Sequence, residues 1–230
     1  MAETIEPACG ELQSEPDNIE VIRDQIAALL AVDFRRQAEL AAESGATDSG
    51  DYNVAVYVES DDPLQYVDED TPGANPFPCV NVILDSTDAD KGTASVNKQA
   101  FTAKFYVDCY AEGNDAEDGE FSYKAAQRAW KTARLVRRIL RAEANTYLRL
   151  RGIVGRVSWS FQAGEPSNTR SAIKVKMVRA TLTVDYVENV AITEGVVDWE
   201  VAGIITDENG RVIVGDNTDE KEENEENGDS

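Results

Sequence analysis

The chain has 230 residues, of which 42% are hydrophobic, and its 44 Asp and Glu against 22 Lys and Arg give a formal net charge of −22. It contains no histidine, which excludes Ser-His-Asp triads and His-assisted cysteine chemistry. It also lacks the glycine-rich phosphate loops G-x-x-x-x-G-K-[ST] and G-x-G-x-x-G. The composition therefore predicts a globular, non-enzymatic protein, and its acidity argues against nucleic-acid binding through the whole surface.

Both ends of the chain are acidic and lack apolar periodicity. Residues 1–17 hold five acids and no base, and residues 216–230 hold eight acids and one Lys. We expect an acidic N-terminal tail (1–17), an α+β domain (18–190), a β-hairpin extension (191–215) and a disordered acidic tail (216–230). Three widely spaced cysteines fit a reducing compartment, and no export signal or membrane-spanning apolar run is visible. We therefore expect folding in the cytoplasm and no membrane partner.

The first predicted element is an amphipathic helix over residues 19–44. Pro16-Asp17-Asn18 precedes it as an N-cap signal, and Ser44-Gly45 ends it. Its apolar residues recur with helical spacing at Ile19, Ile22, Ile26, Leu29, Leu30 and Leu40. This spacing predicts a helix with one face against a core.

Three strands are predicted next, over residues 53–58, 79–84 and 98–111. One face of the third strand should carry Phe101, Phe105, Val107 and Cys109. The first two strands are separated by residues 59–78, an acidic stretch with several prolines that predicts a contact loop. The polar residues 85–96 predict a second loop.

The longest predicted element is a helix over residues 121–151, which contains no Pro or Gly and is followed by Gly152. Its apolar face is expected to consist of Ala125, Ala129, Val136, Ile139, Leu140, Ala144, Tyr147 and Leu150. Its other face is basic and consists of Lys124, Arg128, Lys131, Arg134, Arg138, Arg141 and Arg149. Leu135 is an apolar exception among these basic residues.

Two longer strands follow, over residues 153–163 with a bulge at Gly155 and over residues 172–187. In the second of these the apolar alternation changes phase, which predicts a β-bulge near Met177 and Val178. An Asn-Gly turn between β-branched runs predicts a hairpin over residues 196–214. The fold class is therefore α+β in the order α-β-β-β-α-β-β, a largely antiparallel sheet with two long helices packed on it and an extra C-terminal β-hairpin.

Metal and cofactor chemistry has little support in the sequence. Residues 68–73 begin like a calcium loop but place Pro72 where an Asp or Asn ligand belongs. Adjacent carboxylates in so acidic a chain indicate solvated loops. We therefore predict no catalytic, cofactor-binding or metal-binding residue.

The basic helix is the most informative feature, because residues 124–156 hold ten Lys or Arg and a single acid, Glu143. Its positive charges can be neutralised by acids of the same chain, by acids of a neighbouring copy or by nucleic-acid phosphates, or they can be solvated by water. We favour acids of this chain or of a neighbour, since residues 59–70 and 108–120 each hold six. The candidate interface or lumen residues are Lys124, Arg128, Lys131, Arg134, Arg138 and Arg141. Their candidate acidic partners are Asp61, Asp62, Asp68, Glu69, Asp70, Asp115, Glu117 and Asp118.

Four stretches carry a resemblance to a known family: IRDQIAALLA from Ile22, FTAKFYVDCYA from Phe101, AAQRAWKTARLVRRIL from Ala125 and VRATLTVDYVE from Val178. With the order of elements over residues 18–188, they resemble the tail terminator (tail-completion) proteins of tailed bacteriophages. The resemblance implies a hexameric ring that caps the finished tail tube and presents a surface to the head, with DNA passing through its lumen.

That resemblance also implies a structural virion protein in the tail or neck, assembled in the host cytoplasm. Its partners would be further copies, the tail tube or sheath and head-neck connector proteins. The acidic ends, residues 59–78 and residues 196–214 depart from smaller members of the family. Two alternatives remain open: another neck, collar or head-tail completion protein of similar fold, and an acidic interaction protein that mimics nucleic acid.

Overall fold

A computed structural model describes residues 16–46, 49–60, 77–90, 98–113, 121–164, 175–189, 205–206 and 211–213. The helices are α1 (Asn18–Glu43) and α2 (Phe121–Leu140), with 3-10 helices at Ser49–Tyr52 and Glu143–Arg149. The strands are β1 (Ala55–Val58), β2 (Cys79–Ala89), β3 (Lys98–Glu112), β4 (Val154–Gly164), β5 (Val175–Asn189), β6 (Ile205–Thr206) and β7 (Val212–Ile213). The domain is therefore α+β.

Five strands form one mixed sheet in the order β1-β2-β3-β5-β4. The pairs β2–β3, β3–β5 and β4–β5 are antiparallel, whereas β1 and β2 are parallel, with Ala55 opposite Cys79. The predicted sheet was largely antiparallel, and the pair of β1 and β2 is its parallel exception. A parallel pair needs a crossover of a dozen or more residues, and residues 59–78 are long enough to make one.

The structure departs from prediction at the end of β2 and agrees with it at Gly155. Strand β2 continues to Ala89 through a register shift between Leu84 and Ser86, so part of the predicted loop 85–96 is sheet. The expected irregularity at Gly155 is present as a register shift between Val154 and Val157.

The predicted bulge near Met177 and Val178 is absent, because β5 pairs with β3 in one unbroken register over that region. The alternation changes phase there for another reason. Val175 and Met177 belong to a second apolar cluster with Tyr57, Cys79 and Tyr110, on the face of the sheet opposite the main core. Both faces are apolar at this end of β5, so no extra residue is needed.

The main core lies between the helices and one face of the sheet. Helix α1 covers β1 and β2 and buries Ile22, Ile26, Leu30 and Phe34, while α2 covers β3 and β5. Every fourth residue of α2 on its inner side is a fully buried alanine: Ala125, Ala129 and Ala133. Small side chains let the helix lie close to the sheet and leave its long basic side chains on the outer side.

The long basic helix ends at Leu140 and not at residue 151 as predicted. The Asn145 side chain donates a 2.8 Å hydrogen bond to the Ile139 carbonyl, which satisfies an acceptor at the helix end. Tyr147, Leu148 and Arg149 then adopt positive φ values, and the chain reverses so that Leu148 is buried. Ala144 and Tyr147 are consequently exposed, contrary to their placement on the apolar face.

Near the C-terminus, β6 and β7 pair over two residues each, and Arg211 forms an isolated bridge with Tyr57 of β1. The other residues of the predicted hairpin 196–214 lie outside the described part of the chain. So do residues 1–15 and 216–230, and with them the predictions for the two acidic tails. No helix within the described ranges is long and apolar enough to cross a membrane.

Candidate functional site

The basic residues of α2 divide into two groups according to what they contact. In the N-terminal half, Arg128 Nε lies 2.7 Å from Asp51 Oδ1 and Lys131 Nζ lies 3.2 Å from Asp51 Oδ2. Arg128 also donates a 2.7 Å hydrogen bond to the Glu112 carbonyl, and Lys131 Nζ lies 4.1 Å from the centre of the Tyr52 ring. These two cations are thus held within the subunit, and Lys124, one turn earlier, is half-buried.

Sequence analysis missed Asp51, which holds both of these side chains. Asp51 lies in the 3-10 helix Ser49–Tyr52, about 80 positions before its partners. Nothing in the local sequence distinguishes it from the many other acids of this chain. Only the packing of the 3-10 helix beside α2 selects it.

In the C-terminal half, Arg134, Arg138 and Arg141 are exposed. In the part of the chain that the structure describes, none of the three side chains forms an ion pair or a hydrogen bond. Arg134 and Arg138 are four residues apart and Arg141 follows three later, so all three lie on one side of the helix and of the turn that follows it. We call these three residues the arginine row. Like charges at this spacing repel one another, so the row is poised to bind anions.

An aromatic group extends from the arginine row to the edge of the sheet. Trp130 of α2 lies 6.5 Å from Phe161 of β4, and Phe161 stacks with Trp159 at 6.3 Å, measured between ring centres. The Arg137 guanidinium lies over Phe161 at 5.9 Å. Sequence analysis did not single out these four residues, although the alternation of β4 already placed its two aromatics on one face.

A groove of about 580 Å³ runs along the outer side of α2 beside these residues. Asp51, Tyr123, Gln127, Trp130 and Arg134 are among the residues that line it. Tyr123 is 64% exposed and Trp130 39%. Exposed aromatic side chains next to arginine are typical of protein interfaces, where these residue types are enriched.

The eight predicted acidic partners all lie outside the described residues: Asp61, Asp62, Asp68, Glu69, Asp70, Asp115, Glu117 and Asp118. Two further acids of the stretches from which they were chosen are already engaged. Asp108 is buried and accepts two hydrogen bonds from Arg179, and Glu59 accepts a hydrogen bond from the Leu84 N–H and lies 3.8 Å from Arg23. Asp108 belongs to β3, in agreement with the predicted strand 98–111, so counting it among the acids that could face the basic helix was wrong.

The thiols of Cys79 and Cys109 are fully buried, and burial raises the pKa of both. A neutral, inaccessible thiol is a poor nucleophile and a poor metal ligand. Among the described residues, no group of three or more His, Cys, Asp or Glu is placed to hold a metal ion.

Fold and surface together define an α+β protein with a helix-covered sheet and a basic, aromatic outer face at α2 and β4. The sequence matches no protein-family model and no curated protein.

Proposed function

We propose that this chain is a structural subunit of a hexameric ring in the neck of a tailed phage, where it terminates the tail tube and joins it to the head. The observation that carries the proposal is the arginine row, three exposed cations without a partner in the described part of a chain whose net charge is −22. The resemblance to tail terminator proteins supports the same function. In the virion, DNA would pass through the lumen without sequence-specific contacts.

Ring closure among such acidic subunits must use local patches of opposite charge. A cyclic ring is heterologous, so one surface of each subunit meets a different surface of the next. Complementary potentials set the register of such a contact and reject wrong partners. The arginine row supplies the positive surface, and acids of the adjacent copy supply the negative one.

Chain length excludes one intramolecular pairing. Arg141 lies 20 residues after Phe121, or about 30 Å along the axis at about 1.5 Å per residue. Asp118 is three residues before Phe121, which allows its backbone at most about 11 Å of reach. The remaining distance of about 19 Å is longer than an Arg and an Asp side chain together, so Asp118 can meet Arg141 only on a neighbouring copy.

The test replaces Arg134, Arg138 and Arg141 together with Glu and uses replacement by Lys as the matched control. The wild type and the Lys variant should sediment at moderate salt near six times 25.2 kDa, and the Glu variant as a folded monomer. Single exposed pairs contribute about 0.2–1 kcal/mol, so all three must change together. Reversing Asp68, Glu69 and Asp70 to Lys in the Glu variant should restore part of the assembly.

Two results would change the role of the arginine row or contradict the ring. Rings that still form from the Glu variant but lose DNA retention in the particle would place the arginine row at the lumen. A wild type that remains monomeric alone and also when mixed with tail tubes would contradict the ring and favour the acidic mimic.

The place in the virion has its own test. Particles assembled without this chain should contain tail tubes that do not join heads. Tails that join heads normally in its absence would show that the chain is neither a terminator nor a neck protein.

A further inference from the structure

The strand β4 is an edge of the five-stranded sheet, and no other strand of the described residues pairs with its outer side. It is 11 residues long, and residues 157–164 contain no charged residue and no proline. Exposed edges are normally protected by charge, by proline, by shortness or by a cover. At the opposite edge, β1 has only four residues and is bridged by Arg211. Within the described residues, the outer side of β4 is therefore uncovered and can accept an added strand.

Aromatic side chains follow this open edge on the face of the sheet that carries the helices. Trp159 and Phe161 are only partly buried, and Trp130 and Arg137 of α2 both lie close to Phe161. On the other face, Ser158 and Ser160 are exposed, and Arg156 is 78% exposed while it pairs with Asp185 at 3.3 Å. An added strand would thus meet aromatic rings on one side and small polar and basic groups on the other.

We propose that the outer edge of β4 binds residues 196–202 of a second copy as an added strand, an inference that rests on the proposed ring. These residues read VVDWEVA and place Val197, Trp199 and Val201 at every second position, with Asp198 and Glu200 between them. No other stretch outside the described residues alternates three apolar β-formers with acids. Backbone pairing supplies affinity in such contacts, and alternate side chains supply specificity.

The alternation matches the two sides of the edge. With Val197, Trp199 and Val201 beside the aromatic rings, Asp198 and Glu200 lie on the face that carries Ser158, Ser160 and Arg156. Cross-strand pairs of aromatic and β-branched residues, and of opposite charges, favour this register. The opposite register would place both carboxylates against the aromatic rings.

The chain cannot place this segment on its own β4. Residue 202 is three residues before β6, and β6 pairs with β7. Arg211, which directly precedes β7, bridges to Tyr57 of β1. Three residues span at most about 11 Å. The edge strands β1 and β4 are four strand spacings apart, or about 19 Å. The segment of one copy can therefore fill only the β4 edge of another.

The experiment measures self-association of the full chain by sedimentation at moderate salt. Trp199→Ala should weaken association by about 30-fold or more, as expected for an interface tryptophan. The double substitution S158E/S160E should weaken it about tenfold by placing like charges opposite Asp198 and Glu200, whereas S158K/S160K should not weaken it. Both serines are exposed, so circular dichroism should show all variants folded.

A mixture tests the head-to-tail pairing directly. The W199A copy retains an intact β4 edge, and the S158E/S160E copy retains an intact segment 196–202. The mixture should therefore form a heterodimer, whereas each variant by itself should associate only weakly. Unchanged association of W199A, or absence of the heterodimer, would overturn the proposal.

A synthetic peptide of residues 194–204 tests strand addition at β4 independently of ring formation. Rings that persist in every variant would overturn strand addition and leave the ring in place. A wild type that stays monomeric but binds the peptide, and not its W199A form, would support the β4 site and contradict the ring. A monomer that does not bind the peptide would overturn both.

Discussion

Arg179 donates two hydrogen bonds to Asp108, each 2.7 Å long, across neighbouring positions of β5 and β3. The Asp108 side chain is only 2% exposed, and the Arg179 guanidinium also lies 4.0 Å from the centre of the Tyr106 ring. Two parallel N–H···O bonds to one carboxylate fix the geometry as well as the charge. The pair therefore ties β3 to β5 on the face opposite the main core.

Replacing Arg179 with Leu should lower the free energy of unfolding by about 3 kcal/mol, because Asp108 would be left as a buried charge without its partner. Urea denaturation measures the effect. The double variant D108N/R179L removes the charge as well and should recover more than half of the loss. A double variant less stable than R179L would show that Asp108 contributes through other contacts.

Replacing Asp51 with Asn should lower the free energy of unfolding by about 1–2 kcal/mol, because it weakens the contacts of both Arg128 and Lys131 in a half-buried site. Glu39→Gln is the matched control, since it removes exposed ion pairs with Arg35 and Arg36. The loss in the control should be smaller and should disappear in high salt. Equal losses in the two variants would contradict a structural role for Asp51.

Replacing Asn145 with Ala should cost about 1–2 kcal/mol, because this buried side chain gives up its hydrogen bonds with the Ile139 carbonyl, Asp33 and Arg149. Thr146→Ala is the control, as its hydroxyl bonds the Glu143 carbonyl at the surface. Hydrogen exchange should show faster opening at residues 136–140 in N145A and not in T146A. Unchanged exchange would mean that the buried Leu148 alone ends the helix.

Stability should fall as the pH rises above about 9. Burial raises the pKa of Cys79, Cys109 and Tyr110 in the folded state. Their ordinary pKa values, which apply in the unfolded chain, are 9.0 for the thiol and 10.0 for the phenol. Below pH 9 the contribution of these groups is fully present. Above it the unfolded chain loses protons that the folded chain keeps, so the free energy of unfolding decreases.

The same measurement on the double variant C79A/C109A identifies the groups responsible. Its free energy of unfolding should decline less steeply between pH 8.5 and 10 than that of the wild type. Identical slopes would show that the thiols are not responsible for the decline.

Several elements were predictable from the sequence because local periodicity determines them. The spacing of isoleucines and leucines gave the position of α1, and alternation gave β3 with Phe105 and Val107 on the buried face. The separation of alanines from arginines along α2 predicted which side would be basic. Each of these features depends on residues within a few turns or positions of one another.

Other features were decided by contacts between residues distant in the chain, which no local pattern encodes. In the parallel pair of β1 and β2, Ala55 lies opposite Cys79, and Asn145 beyond the end of α2 donates a hydrogen bond to Asp33 of α1, 112 positions earlier in the chain. Arg128 and Lys131 differ from the arginine row for the same reason, because their partner is distant in the chain. The packing of residues 49–52 beside α2 brings Asp51 to Arg128 and Lys131, whereas the arginine row has no such neighbour among the described residues.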